Sequence, residues 1–334
     1  MKKNLARVLT AVSVSAMALT AMAPAAMADD FKVGICQLVQ HPALDAATKG
    51  FREELQAKLE ADGDTVEFDE QNAAGDSATC ATIVNAFVQD QDNLIMANAT
   101  PALQAAQAAT GDIPILGTSV TDYGTALDID NWSGTTGTNI SGTTDLAPLD
   151  GQAALFKELL PDAKTIGILY CSAEANSKYQ ADTITPFLED EGYTVSEYTF
   201  ADSNDLQNVA TTAFSENDAV YIPTDNTAAS NTGIVQAVSL DKKVPAICGE
   251  EGIALGCGIA TLSISYEELG KATGDMAYEI LKNGADVSTM EVQPAPTFTK
   301  EYNKDMCEKL GITVPDDYVA IGGGDETEAG TEAE

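Results

Sequence analysis

From Phe31 onward the chain alternates short β-branched or apolar runs with amphipathic stretches, and this rhythm restricts the folds open to it more than any other feature. Strands too short to pair locally, each followed by a helical segment, describe a parallel sheet whose crossover helices cover both faces. In the first half the expected strands are Phe31 to Cys36, Thr65 to Glu70, Leu94 to Ala97 and Ile113 to Leu116. Helices are expected over Pro42 to Ala61, Asp76 to Asp90 and Pro101 to Thr110, with Pro42 and Pro101 at first-turn positions. A Gly/Thr/Asn-rich stretch from Asp122 to Thr144 then breaks the pattern, as a linker would.

The rhythm resumes with helices over Leu146 to Leu160, Ser177 to Glu191, Leu206 to Phe214 and Thr227 to Asp241. Strands at Thr165 to Tyr170, Thr194 to Phe200, Ala219 to Ile222 and Val244 to Ile247 separate or follow them. The expected fold class is therefore α/β, with two doubly wound parallel-sheet lobes. Glu267 to Leu281 adds a strong late helix, and Met290 to Phe298 reads as extended chain between lobes. From residue 322 to 334 the composition turns to Gly and acid, the signature of a disordered tail.

Residues 1–28 read as a secretory signal peptide: Lys2, Lys3 and Arg7 precede an apolar run to about Met22, and Ala26-Met27-Ala28 stands before Asp29. The run falls short of the ~20 residues a membrane span needs. No Cys follows the cleavage site, so the mature chain is expected free in the periplasm or outside the cell. Charge narrows the partners. The sequence holds 52 Asp and Glu against 17 Lys and Arg, three of which leave with the signal peptide. Such a surface repels phosphate backbones, which excludes nucleic acid.

Arg52 is then the one arginine left, beside Glu53 and Glu54 in a helical pattern. A ligand carboxylate is thus expected on backbone N–H groups and hydroxyls in place of a guanidinium, while an ammonium would find many carboxylates. Of the six cysteines, Cys248 and Cys257 flank a short loop and are the candidates for a disulfide; the alternative is buried thiols acting as small hydrophobes. No Walker A sequence, zincin motif or calcium loop is present, and neither cofactor nor metal is expected.

In open α/β sheets ligands lie beyond the carboxyl ends of the strands, and here those positions are polar. They are Gln37 and His41 after the first strand, Thr100 after the third, Thr121 and Asp122 after the fourth. The second half contributes Glu174, Asn176 and Ser177, then Asp225 and Asn226, then Glu250. Each has a plainer reading. Asp225, Thr100 and Ser177 stand where helix caps are preferred, and Glu174 and Glu250 suit a solvated surface. As ligand groups, Asp225 would accept an ammonium, and the helices begun by Thr100 and Ser177 would favour a carboxylate. His41 is the only histidine, and no G-x-S-x-G elbow surrounds any serine, so no catalytic set is identified. Trp132 reads as a packing residue or a ligand-stacking one.

The run Gln37-Leu38-Val39-Gln40-His41-Pro42-Ala43-Leu44-Asp45, the segment Ala99-Thr100-Pro101-Ala102 and the turn Val120-Thr121-Asp122 resemble the tryptophan/tyrosine-type ABC transporter substrate-binding family. The resemblance continues through Gly137 to Gly142, Glu174 to Ser177, Asp225-Asn226 and Gly274 to Ala277, spanning about Lys32 to Ile321 in the same order. One departure is Ser265-Tyr266-Glu267-Glu268, where family members carry an Asp-Tyr-Tyr-like run.

The resemblance implies a type I periplasmic-binding-protein fold whose chain crosses between lobes three times. Residues 29–143 with 264–290 would form one lobe, and 144–263 with 291–321 the other. It implies a binder of a small amino-acid-like solute, aromatic by preference, that serves an ABC permease and its ATPase as a monomer and performs no chemistry. Tyr123, Tyr170 and Tyr266 are candidate walls. Rival readings are a sugar or nucleoside binder, a sensor input domain, or a secreted α/β hydrolase.

Overall fold

The computed structural model describes residues 28–322, so the expected signal peptide and acidic tail lie outside the described residues, apart from Ala28 and Gly322. Lobe 1 begins with β1 (Asp30–Gln37), α1 (Pro42–Asp62), β2 (Thr65–Asn72), α2 (Ser77–Asp90), β3 (Leu94–Asn98) and α3 (Thr100–Ala109). It continues with β4 (Ile115–Val120), α4 (Tyr123–Leu127) and β5 (Ile140–Thr144). After a first crossing, lobe 2 holds α5 (Leu149–Leu159), β6 (Thr165–Cys171), α6 (Ala175–Asp190), β7 (Thr194–Phe200), α7 (Ser203–Glu216) and β8 (Ala219–Ile222). There follow α8 (Asn226–Ala229), α9 (Thr232–Lys242), β9 (Ala246–Cys248), α10 (Glu251–Cys257) and β10 (Ala260–Ser263).

The chain then returns to lobe 1 as α11 (Tyr266–Leu281) and β11 (Gln293–Pro294), and ends in lobe 2 with β12 (Thr299–Asn303), α12 (Lys304–Leu310) and β13 (Val319–Ile321). Lobe 1 is built on a sheet of order β11-β5-β4-β3-β1-β2, lobe 2 on one of order β13-β12-β10-β9-β8-β6-β7. All pairings are parallel except β10 with β12. Because β11 pairs with β5 through Gln293 and Thr143, the last crossing falls after Pro294 and not at 290.

Three crossings join the lobes, and each lobe buries its own apolar core. Val33, Ile35, Phe51, Leu55 and Met276 pack on one face of the first sheet, Phe87, Ile95 and Leu103 on the other. In the second lobe Phe156, Ile168 and Tyr221 fill one face, Leu169, Phe214 and Val235 the other. α11 is seated on α1 at backbone contact: a Cβ on Gly50 would meet the Glu267 carbonyl oxygen at 2.1 Å, and one on Gly270 the Ala47 carbonyl oxygen at 2.0 Å.

Several elements depart from the sequence reading. The expected linker contains α4 and β5, whose Ser-Gly-Thr-Thr run lacks the β-branched hydrophobics that mark a central strand. Gly142 there has φ of 145° and lies against Gly117, where a side chain has no room. The single helix expected from Thr227 to Asp241 is two, because Ser230 Oγ and Asn231 Nδ2 bond the carbonyls of Asn226 and Thr227 and stop the first.

The expected Cys248–Cys257 disulfide is not formed: all six cysteines are buried free thiols. Both belong to the lobe 2 core, and Cys257 Sγ donates to the Ile253 carbonyl at 3.3 Å within its own helix, so they pack as small apolar residues.

Candidate functional site

The carboxyl ends of both sheets face one another, and the loops leaving them form a closed seam. Ser119 and Thr121 leave β4, Thr100 follows β3, and His41 follows β1. Opposite stand Glu174, Asn176 and Ser177 after β6, Thr224 to Asn226 after β8, and Glu250 after β9. All of these except Thr224 are buried. Two contacts bridge the lobes directly: His41 Nε2 lies 3.3 Å from Asn226 Oδ1, and Gln180 Nε2 lies 3.4 Å from Thr121 Oγ1. A third joins two crossings, the Tyr266 hydroxyl donating to Asp145 Oδ2 at 3.0 Å.

Several candidates prove to be committed to their own loops. Glu174 Oε2 accepts from Asn226 N and Nδ2 at 2.9 and 2.7 Å, while Oε1 accepts from Thr227 N and Oγ1 at 2.9 and 2.8 Å. It fixes the loop after β8 as a carboxylate saturated by donors. Asp225 caps α8 through Ala228 N at 2.8 Å and takes Cys171 N and Ser177 Oγ on its other oxygen at 2.7 and 2.8 Å. Glu250 caps α10 through Gly252 N and Ile253 N, both 2.6 Å. Asp122, half-buried, caps α4. Gln37 is satisfied within lobe 1 by Thr48, Asp45 and Val39.

Other groups are left with capacity to bind. Among the described residues, His41 Nδ1, Ser119 Oγ, Asp145 Oδ1 and Asn176 Oδ1 are buried without a hydrogen-bond partner, a costly condition that a ligand can relieve. Asn226 spends its amide N–H on Glu174, so its oxygen accepts from His41 Nε2 and the free Nδ1 carries a lone pair. Burial holds His41 below the usual histidine range, which keeps the ring neutral. Asn176 donates to the Thr224 carbonyl at 2.9 Å, so its free atom is also an acceptor.

Backbone strain gathers here too. Ala99, before α3, has φ 90° and ψ 157°, a region that glycine normally occupies, and Ser119 has φ 54° where β4 slips register against β5 between Gly117 and Val120. The first turns of α3 and α6 supply free N–H groups from opposite lobes.

The electrostatics are one-sided. Burial raises the Asp145 carboxyl to about 6 and that of Glu250 to about 7, and it raises Asp225 as well, helped by the charge of Glu174. No Lys or Arg among the described residues joins them: Arg52 sits on α1, 2.7 Å from Glu70 at the surface.

Two cavities open along the seam. One of about 250 Å³ is lined by Leu38, Val39 and Pro101 against Ala173, Asn226 and Thr227. The other, about 320 Å³, lies between Pro42, Ala43 and Ala46 and the group Glu250, Leu255 and Tyr266. A larger hollow of about 400 Å³ beside Arg52 and Gln56 belongs to lobe 1 alone and has no second wall to close upon a solute.

Of the three tyrosines expected as walls, Tyr266 borders the seam. Tyr123 and Tyr170 are spent in the lobe cores, on the Thr143 carbonyl and Glu197. Trp132 stacks on Tyr123 at a centroid distance of 6.1 Å, which gives it a packing role. The sequence reading missed Asp145, Ser119 and Gln180. Gln180 had a signal, since it lies four residues from Asn176 and three from Ser177 on one helical face.

Residues 32–322 match the family described as ABC transporter substrate binding protein. The chain is 40% identical over 283 residues to the tyrosine-binding protein of Clostridioides difficile strain R20291, covering 84% of this chain and 81% of that one. It is similar to the ABC domain in complex with L-Trp from Streptococcus pneumoniae, with TM-score 0.82, 33% identity, and coverage of 86% and 97%. It is also similar to the ligand-free, open structure of a substrate-binding protein with adhesive properties from Clostridium difficile, with TM-score 0.67, 38% identity, and coverage of 87% and 99%.

Proposed function

The chain belongs to the ABC transporter substrate-binding protein family, and from that membership we propose that it captures an aromatic amino acid between its lobes for delivery to a membrane permease. The observation that carries this reading is the set of unpartnered acceptors at His41, Asn176 and Asp145 within a buried seam that holds carboxyls and, among the described residues, no Lys or Arg. Such a seam suits a solute bearing an ammonium. The ligand carboxylate then goes to the first-turn N–H groups of α3 and α6, with Thr100 and Ser177 beside them, because no guanidinium is at hand. Thr121 and Asn226 hold the lobes together around it, while Glu174, Asp225, Glu250, Asp122 and Gln37 fix the loops.

Preference for an aromatic side chain draws on two relatives, one a tyrosine-binding protein and one solved with L-Trp. The lobes stand as in a closed form. This chain superposes better on the L-Trp complex than on the ligand-free open protein, although the open protein is the more similar in sequence. The difference is the one that hinge motion produces.

Binding without turnover, export through the leader, action outside the cytoplasm and docking as a monomer on a permease driven by a separate ATPase complete the proposal. Closure is driven by contacts made to both lobes at once, since a ligand held by one lobe gains nothing from closing. A thermal-shift screen of the mature chain against all amino acids, sugars and nucleosides tests it. Stabilisation by L-tyrosine or L-tryptophan, with the compound recovered intact, is the expected result. Stabilisation by sugars or nucleosides alone, or conversion of the compound, would refute it.

A further inference from the structure

We propose that Glu251 and Glu301, with the buried hydroxyl of Thr261 beside them, form a binding site for a divalent cation of the calcium type on lobe 2, apart from the amino-acid seam. The strand register builds it. β10 and β12 run antiparallel with Thr261 opposite Glu301 and Ser263 opposite Thr299, so all four side chains leave one face of the sheet. The Cβ atoms of a directly opposed pair such as Thr261 and Glu301 stand about 5 Å apart. α10 lies across that face and is tied to both strands. Glu251 N donates to Ser263 Oγ at 3.1 Å, and Asn303 Nδ2 donates to the carbonyls of Ala254 and Leu255 at 3.1 and 2.7 Å. Glu251, the first residue of the helix, is thereby held beside the Thr261–Glu301 pair.

Two observations point to a ligand. Thr261 is 0% exposed, yet its Oγ1 has no hydrogen-bond partner, and neither has the buried Oε2 of Glu301 on the opposite strand. The two acids also lack a counter-charge. Burial, and then the charge of Glu251, push the Glu301 carboxyl up to about 7, burial raises that of Glu251, and no cation among the described residues acts on either. Lys300, one residue before Glu301, leaves the other face of β12 and pairs with Glu158 and Asp317. Like charges brought together under burial are costly, and a cation between them removes the cost.

The donors decide which cation fits. All are oxygens, from two carboxyls and a hydroxyl, a mixture that calcium accepts in irregular arrangements completed by water. So few charges place the affinity in the weak extracellular range, roughly 0.1 to 1 mM. Glu251 also lines the cavity of about 320 Å³ beside Leu255 and Ser265, which gives the ion a way in. β10 ends and β12 begins at this place, so a bound ion fastens the first turn of α10 to the strands where the second crossing leaves lobe 2 and the third enters it.

Thermal melts of the mature protein at neutral pH, with and without calcium chloride at about 10 mM, test the site in wild type, Glu301→Gln and the exposed control Glu308→Gln. Screening of so acidic a chain raises all three melting temperatures alike, whereas a site adds a shift of its own. Wild type and Glu308→Gln are expected to gain about 3 °C more from calcium than Glu301→Gln does. An equal gain in all three, or none in any, overturns the proposal. If Glu301→Gln does not fold, a crystal structure of the wild-type protein grown in calcium chloride decides: an ion coordinated by both Glu251 and Glu301 supports the site, and the absence of an ion there overturns it.

Discussion

His41, carried by lobe 1, and Asn226, carried by lobe 2, meet across the seam with Nε2 and Oδ1 3.3 Å apart. The pair is buried, so its loss leaves the amide oxygen unsatisfied in the closed form and nothing lost in the open one. His41→Ala is expected to weaken ligand binding by about tenfold, the value of one buried hydrogen bond with its desolvation cost. Small-angle scattering should show a more expanded ligand-free molecule, and unchanged affinity with an unchanged scattering profile would contradict the latch.

Glu174 organises lobe 2 by accepting from Asn226 and Thr227. Glu174→Ala strands four donors at once and should cost about 3 kcal/mol in urea unfolding, whereas Glu174→Gln, which keeps one acceptor oxygen, should cost less. Binding should fall with both, because Asn226 loses its orientation.

Stability should depend on pH in a definite direction. Asp145 and Glu250 ionise near 4 when unfolded and are raised to about 6 and 7 when folded. The folded state thus holds more protons between those limits; the contribution is complete below about pH 4 and is lost as pH rises through 6 to 7. The ligand-free melting temperature should fall from pH 5 to pH 8, and Glu250→Gln should flatten the fall by up to about 3 kcal/mol. An ammonium ligand restores what ionisation removes, so its stabilising effect should be larger at pH 8. Calorimetric melts at both pH values, with and without L-tryptophan, check the sign.

The contact between α1 and α11 leaves no space for a methyl group at Gly270, whose Cβ would stand 2.0 Å from the Ala47 carbonyl oxygen. Gly270→Ala should destabilise by about 3 kcal/mol, since backbone on both sides has to move. Urea midpoints of the variant and wild type measure it, and a difference under about 0.5 kcal/mol would show that the helices slide freely.

The parts of the fold with strong periodicity were legible in the sequence: the long helices α1, α6 and α11 and the apolar strands β1, β3 and β6 lie where their patterns put them. β5, α10 and β10 were not, because short polar or glycine-containing runs take their structure from neighbours rather than from pattern. The strand-end rule brought His41, Thr100, Thr121, Asn176 and Asn226 to one seam. It did not distinguish groups free to bind from groups already engaged. Asp225 and Glu250 lie at helix starts, where the nearest N–H groups claim a carboxylate first. Asp145 escaped notice because a residue between a strand and a helix reads as solvated linker, and its burial arises from Thr121 and Tyr266, distant in sequence on one side.

Neither lobe is a contiguous length of chain, since α11 and β11 complete the first and β12 and β13 complete the second. During synthesis or passage through a membrane, α1 therefore waits for a partner that emerges more than two hundred residues later, and both sheets are finished only near the end. Proteolysis carries the same signature. A single cut in any one crossing leaves two intact tethers, so a nicked molecule should migrate as a whole until denatured, while a chain that stops before Tyr266 should yield no folded half.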